Sequence, residues 1–197
     1  MTSGIVGILL AAGASSRFGG NKLLYPLDTG MAVGVAAARH LIAVIPESLA
    51  VVKPDDDALP PLLAAQGLSI VVNDRAGEGL GTSVACGVAA APQAKGWVIG
   101  LADMPLIQTE TIELVVNRLL NRAAIVAPVY HGQRGHPVGF SERFFNELTH
   151  LQSDHGARDL LEQHIDILDL VEVGDRGILM DLDYRNDNDV VETTREP

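Results

Sequence analysis

A chain of 197 residues with 47% apolar, 20% charged and 4% aromatic residues is long enough for one sizeable aliphatic core and short for two, so residues 1–197 are expected to form a single domain. Its formal net charge of -11 would repel a polyanion, and no basic stripe offsets it, which excludes nucleic acid as a main partner. Cys86 is the lone cysteine, which rules out an intramolecular disulfide, and no apolar run approaches the ~18 residues that span a bilayer, so a soluble cytoplasmic protein with no membrane partner is expected.

Ile5 to Leu10 is a short, continuous apolar run leading into small residues, the pattern of a central parallel strand. After a glycine-rich connection, Met31 to Val44 reads as a helix and Leu49 to Lys53 as a second strand. Asp55-Asp56-Asp57 supplies a cap for a helix running to about Gln66, and Leu68 to Val72 is a third strand. Gly81-Thr82-Ser83 opens a helix toward Ala91, and Gly96 to Leu101 is the next strand. The alternation implies a three-layer α/β/α fold with a mostly parallel, Rossmann-like sheet. Beyond Ala127 the rhythm changes. Tyr130 to Pro137 reads as loop and Val138 to Phe140 as a short strand; Glu142 to Thr149 and Ala157 to His164 read as helices. Asp166 to Leu170 and Gly177 to Leu182 read as further strands, and the last dozen residues as a solvated tail or edge.

The connection after the first strand carries the clearest chemistry. No Asp or Glu precedes Asp28, whereas Arg17 and Lys22 both fall there. Gly13, Gly19 and Gly20 let the backbone turn N–H groups toward a ligand, and the two cations add full charges, an arrangement suited to a triphosphate. A flexible loop with two solvated cations is the plainer alternative. The spacing is neither a Walker loop nor Gly-x-Gly-x-x-Gly, which disfavours a nicotinamide dehydrogenase. In Gly77-Glu78-Gly79-Leu80-Gly81-Thr82-Ser83, Ser83 and the helix-start N–H groups could bond a base or ribose edge, or simply cap the helix.

Asp103 falls just past the C-terminal end of a buried strand, the edge along which doubly wound sheets bind ligands, and suits Mg²⁺ against phosphate oxygens. Capping the turn before Pro105 is the alternative. Strand alternation would put Asp181 and Asp183 on one face, where one could complete a metal shell. Arg134-Gly135-His136-Pro137 offers two anion-binding side chains beside a rigid proline and could clamp a second substrate or be a surface turn. His40, His150 and His164 lack metalloprotease or zinc-ribbon spacing, and Ser15 and Ser16 lack the context of a hydrolase nucleophile. Cys86, on an apolar helix, reads as buried and inert.

Taken in order, these segments resemble the MobA-like nucleotidyltransferases, particularly the branch containing molybdenum-cofactor cytidylyltransferase. The matching residues are Leu10-Ala11-Ala12-Gly13-x-Ser-Ser-Arg17-Phe-Gly19-x-x-Lys22, Asn73, Gly79-Leu-Gly81-Thr-Ser83, Leu101-Ala-Asp103-Met-Pro105, Arg134-Gly-His136-Pro137, Gly156-Ala-Arg158 and Asp181-Leu-Asp183, and they cover nearly the whole chain. The resemblance implies the nucleotide-diphospho-sugar-transferase-like fold. It implies nucleotide binding by Leu10, Ala11, Ala12, Gly13, Arg17, Lys22, Asn73, Gly79, Gly81 and Ser83, with Lys22, Arg17 and Asp103 catalytic. It further implies Asp103 and Asp183 as Mg²⁺ ligands, and Arg134 and His136 toward the acceptor.

Within the family, Leu-Ala-Ala-Gly followed later by Gly-Leu-x-x-Ser goes with cytidine nucleotides, so the resemblance implies CTP over another NTP. Its implied acceptor is a phosphorylated small molecule such as molybdopterin, with a molybdoenzyme or its chaperone as protein partner. The chain departs from the family where Asp-x-Asp-Thr-Pro-x-Asp becomes Asp181-Leu-Asp183-Tyr184-Arg185-Asn186-Asp187, and where Ser153-Asp154-His155 replaces a glycine-containing turn. The expected reaction is transfer of CMP from CTP to the acceptor phosphate with release of pyrophosphate. A sugar or alditol phosphate acceptor stays open, as does a non-catalytic nucleotide- or molybdenum-cofactor-binding chaperone.

Overall fold

The computed structural model describes residues 4–13, 21–152 and 156–182. Its first strand, β1 (Ile5–Leu10), is apolar on both faces because it lies inside the molecule. With the two residues that follow, its side chains alternate between two cores: Ile5, Leu9 and Ala11 enter one, and Ile8, Leu10 and Ala12 the other. Parallel partners flank it, β2 (Ser48–Val52) on one side and β4 (Gly96–Leu101) on the other, and β3 (Ser69–Val72) extends the sheet beyond β2.

Past β4 the sheet changes direction. β7 (Val138–Ser141) pairs antiparallel with β4, and β5 (Ile125–Tyr130) antiparallel with β7, while β8 (Leu168–Glu172) runs parallel to β5. A two-residue β6 (Gln133–Arg134) folds back on the end of β5. The order is β3-β2-β1-β4-β7-β5-β6, with β8 on β5, a mostly parallel sheet with an antiparallel insertion.

Helices cover both faces. α1 (Val33–Val44), α2 (Leu59–Ala64) and α4 (Thr109–Leu120) pack their apolar stripes into the core that holds Leu9, while α3 (Leu80–Ala89), α5 (Phe145–Thr149) and α6 (Arg158–Gln163) pack into the one that holds Leu10. The expected three-layer arrangement follows. α3 approaches β1 and β2 closely through Gly87, where a Cβ would stand 2.7 Å from Ile8 Cγ2 and 2.9 Å from Val51 Cγ2. α2 starts where expected, because Asp56 Oδ1 accepts from Ala58 N and Leu59 N.

Three expectations change, and two elements are new. The helix expected from Met31 begins at Val33, because Leu27 N donates to Met31 O and Pro26 bridges Ala32, closing a tight turn first. The stretch from Tyr130 to Pro137 is not all loop: His131 and Gly132, at φ 49 and 78, form a hairpin turn that lets β6 pair with β5. α4 and β5 had no place in the reading of the sequence, although Ile112, Val115, Val116 and Leu119 carry a helical apolar stripe. The strand expected over Gly177 to Leu182 is instead a 3₁₀ turn at Arg176–Leu179. Asp175 caps it by accepting from Gly177 N, and Met180 N closes it on Gly177 O. With no strand there, alternation gives Asp181 and Asp183 no shared face; Asp183 and the tail lie outside the described residues.

Candidate functional site

The sheet order reverses between β1 and β4, since the chain leaves β1 toward β2 and β3 and later returns to β4 on the other side. Two strand-to-helix connections diverge there, which opens a crevice at the strands' C-terminal ends. Ala102 N donates to Leu10 O at 3.0 Å, so the residues after β1 and β4 remain side by side as they leave the sheet.

A cavity of about 370 Å³ occupies the crevice, lined by Leu10, Ala12, Gly13, Lys22, Leu23, Ala76, Gly77, Gly79, Leu80, Ser83, Leu101 and Asp103. Lys22 Nζ and Asp103 Oδ2 meet at 2.6 Å, with 14% and 21% of their side chains exposed. Lys22 heads a short 3₁₀ turn whose next residue, Leu23, is buried as an anchor. Asn21 Oδ1 caps the turn by accepting from Leu23 N, and Asn21 Nδ2 donates to Asp56 Oδ2 at 2.7 Å. Asp56 thus caps α2 and braces the Lys22 turn together; its run of aspartates was legible as a cap, whereas the link to Lys22 needed the tertiary fold.

The sequence-predicted residues fall into distinct places. Leu10, Ala12, Gly13, Lys22, Gly79, Ser83 and Asp103 line the cavity. Ala11 turns its side chain into the opposite core and donates its N–H to Val51 O. Asn73 is buried and braces the connection into α3: Nδ2 donates to Thr82 Oγ1 and Ser83 Oγ, while Oδ1 accepts from Arg75 N. Gly81 is buried in the first turn of α3. Gly79 opens that helix at φ 121, a conformation that favours glycine. Arg17 lies outside the described residues.

Arg134 and His136 line a second cavity, of about 440 Å³, on the same face of the sheet. Leu10, Leu80 and Leu101 border both cavities, so the two adjoin. The second has an aliphatic and aromatic floor, including Ile99, Val138, Phe140 and Leu161, with Arg134, His136 and Arg158 as its charged or titratable lining. Arg158, which also ion-pairs with Glu162, was visible only as part of the Gly156-Ala-Arg158 match. Burial pushes the His136 pKa down, against smaller upward pushes from the Ile99 carbonyl and Asp103. Its Nδ1 is shielded and has no hydrogen-bond partner among the described residues. Cys86 lines neither cavity; its thiol lies 3.7 Å from Val72 O, and burial pushes its pKa up.

Among the described residues, the first cavity offers one cation, one carboxylate and backbone at a glycine-rich helix start. No group of three or more His, Cys, Asp or Glu side chains among the described residues could hold a metal alone. Asp103 alone is too few ligands for a hard divalent cation; Mg²⁺ is commonly held by one or two carboxylates, with ligand phosphate oxygens and water completing the shell. Leu182 N donates to the backbone carbonyl of Asp103 at 3.1 Å, so the chain running toward Asp183 passes beside the Asp103 backbone.

The family model for the MobA-like NTP transferase domain matches residues 7–168. The chain is 30% identical over 198 residues to "Purine catabolism protein PucB" of Bacillus subtilis, covering 95% of each. It is also 30% identical over 189 residues to "Nicotine blue oxidoreductase" of Paenarthrobacter nicotinovorans, covering 91% of this chain and 92% of that one. Among solved structures, Rv0371c of Mycobacterium tuberculosis superposes with a TM-score of 0.77 at 25% identity, covering 88% of this chain and 89% of that one. A complex of the same protein with manganese superposes at 0.73 and 25% identity, covering 87% and 89%. No helix among the described residues is long and apolar enough to cross a membrane.

Proposed function

The chain belongs to the MobA-like NTP transferase family and is a nucleotidyltransferase of that type, and on this premise we propose that it transfers CMP from CTP to the phosphate of molybdopterin or its molybdenum cofactor with Mg²⁺. The observation that carries the reading is the Lys22–Asp103 pair at the mouth of a glycine-lined crevice that adjoins a second, arginine-bordered cavity. A nucleotide in the first cavity would direct its phosphates toward the second.

In the reaction a phosphate oxygen of the acceptor bonds to the α-phosphorus of CTP, and the bond from that phosphorus to the pyrophosphate oxygen breaks. Such chemistry needs positioning and charge neutralisation rather than a protein nucleophile. Lys22, with Arg17, would neutralise the triphosphate; Leu10, Ala12 and Leu80 would exclude water from the base side; Gly79 and Ser83 would present backbone and hydroxyl groups to it. Asp103, with Asp183, would hold the Mg²⁺, which supplies charge stabilisation on the phosphate oxygens. Manganese in the neighbouring Rv0371c structure supports a divalent metal of this kind.

Arg134 and Arg158 would bind the acceptor phosphate, with His136 beside them. The apolar floor of their cavity favours a flat, heterocyclic acceptor over a sugar or alditol phosphate, whose hydroxyl groups would need hydrogen-bonding partners. A melting-temperature panel of CTP, GTP, ATP and UTP with Mg²⁺ tests the nucleotide. CTP alone should raise Tm by mass action, and equal shifts from all four would contradict the choice of CTP.

A further inference from the structure

Residues 175–182, between β8 and the last described residue, take no part in the reaction above, yet they touch both halves of the site. Asp175 is 3% exposed, and its carboxylate accepts three hydrogen bonds. Oδ2 takes Gln108 N at 2.8 Å and Thr111 Oγ1 at 2.8 Å, and Oδ1 takes Gly177 N at 2.9 Å. Gln108 precedes α4 and makes no side-chain cap of its own. Asp175 therefore caps that helix from 67 residues away and fixes the far end of the connection that begins at Asp103.

The near end of that connection is held by Leu182 N, which donates to Asp103 O at 3.1 Å. Between the two ends, Gly177 lies against the Leu106 carbonyl with no room for a Cβ. On its other side the segment meets the acceptor cavity: His136 N donates to Ile178 O at 3.1 Å, and Gly135 packs on Ile178 with no room for a Cβ. The segment is a strap lying between the Asp103 loop and the Arg134–Pro137 stretch.

We propose that Asp175 is a positioning residue for group transfer: by locking the strap, it holds the Asp103 carboxylate in register with Arg134 and His136 across the two cavities. The inference rests on the nucleotidyltransferase reading. A carboxylate suits the task because both oxygens accept and neither donates, whereas an amide would turn an N–H₂ against one of the three donors. A slack strap lets the reacting groups drift, and a misplacement of about 1 Å can lower a rate about 100-fold.

The test compares the wild type with Asp175→Asn by amide hydrogen exchange, Mn²⁺ binding and steady-state kinetics. Expected is faster exchange at the His136 and Leu182 amides as well as at Gly177, with the β1 and β4 amides unchanged. Mn²⁺ binding should weaken about tenfold, as when a partner of a ligand is removed, and kcat/KM for the acceptor should fall about 100-fold, with KM for the nucleotide little altered. Thr111→Val should shift every readout the same way by less and Thr111→Ser should restore it; Thr111→Val also decides the question if Asp175→Asn does not fold. Faster exchange confined to Gly177 and Gln108, with His136 and Leu182 unchanged, would overturn the proposal. If no acceptor supports transfer in the wild type, the functional reading fails, and the His136 and Leu182 amides still decide the strap.

Discussion

Lys22 and Asp103 lie 2.6 Å apart in surroundings that leave only 14% and 21% of their side chains exposed. Removing Lys22 takes from the partly desolvated Asp103 carboxylate the cation that faces it at 2.6 Å. Lys22→Met keeps most of the apolar stem and should lower the transfer rate about 100-fold, the scale of losing one charge-stabilising group, while circular dichroism stays unchanged; full activity would remove Lys22 from the chemistry. His136 makes a pH prediction. Burial holds its folded-state pKa below the ordinary value, so the unfolded chain binds this proton more readily than the folded one. Its contribution to stability is therefore intact above about pH 6.5, and is lost as the pH falls from there through the folded pKa. Tm measured from pH 7.5 down to 5 should fall less steeply in His136→Gln, and identical slopes would contradict the assignment. At this scale the sequence made Lys22 visible as a cation in a glycine-rich connection, Asp103 as a carboxylate at a strand end and His136 as a polar group beside a proline, each with a plain structural alternative that the fold had to decide. It did not reveal that Asn73 braces Thr82 and Ser83, or that Asn21 joins Lys22 to Asp56, because such partners are set by tertiary contacts.

The elements most legible from sequence were those with the least choice. β4 matches its expected bounds and β1 likewise, because an apolar run of six residues flanked by small residues is too short for a buried helix and suits a central strand. The strap at 175–182 was illegible because its turn depends on Gln108, Thr111 and Leu106, residues 64 to 71 positions earlier in the chain. β6 and the changed sheet direction at β7 depend likewise on which strands meet. α3 joins architecture to site, since its body packs through Gly87 while its first turn carries Leu80 and Ser83 into the cavity. Gly87→Ala should overpack the contact with Ile8 and Val51, destabilising the fold by about 1–3 kcal/mol in urea unfolding. It should also weaken nucleotide binding as the helix shifts. A lower stability with unchanged nucleotide affinity would show that α3 does not set the cavity.

At the scale of the whole molecule, an acidic chain of net charge -11 gathers Lys22, Arg134 and Arg158 around two adjoining cavities on one face of its sheet. Cations collected in this way attract small anions while the molecule as a whole repels polyanions. The switch point between β1 and β4 supplies the crevice, and the antiparallel turn of the sheet at β7 brings the Arg134–Pro137 stretch beside it, so the topology sets the two cavities next to each other. The most direct test of that account is pyrophosphate release from CTP with Mg²⁺ and molybdopterin, comparing the wild type with Asp103→Asn. The account predicts release that needs both metal and acceptor and a cytidine dinucleotide product, with a loss of about 1000-fold in the variant while circular dichroism shows the fold retained. Equal release by the variant, or CTP binding with no release for any phosphorylated acceptor, would contradict it.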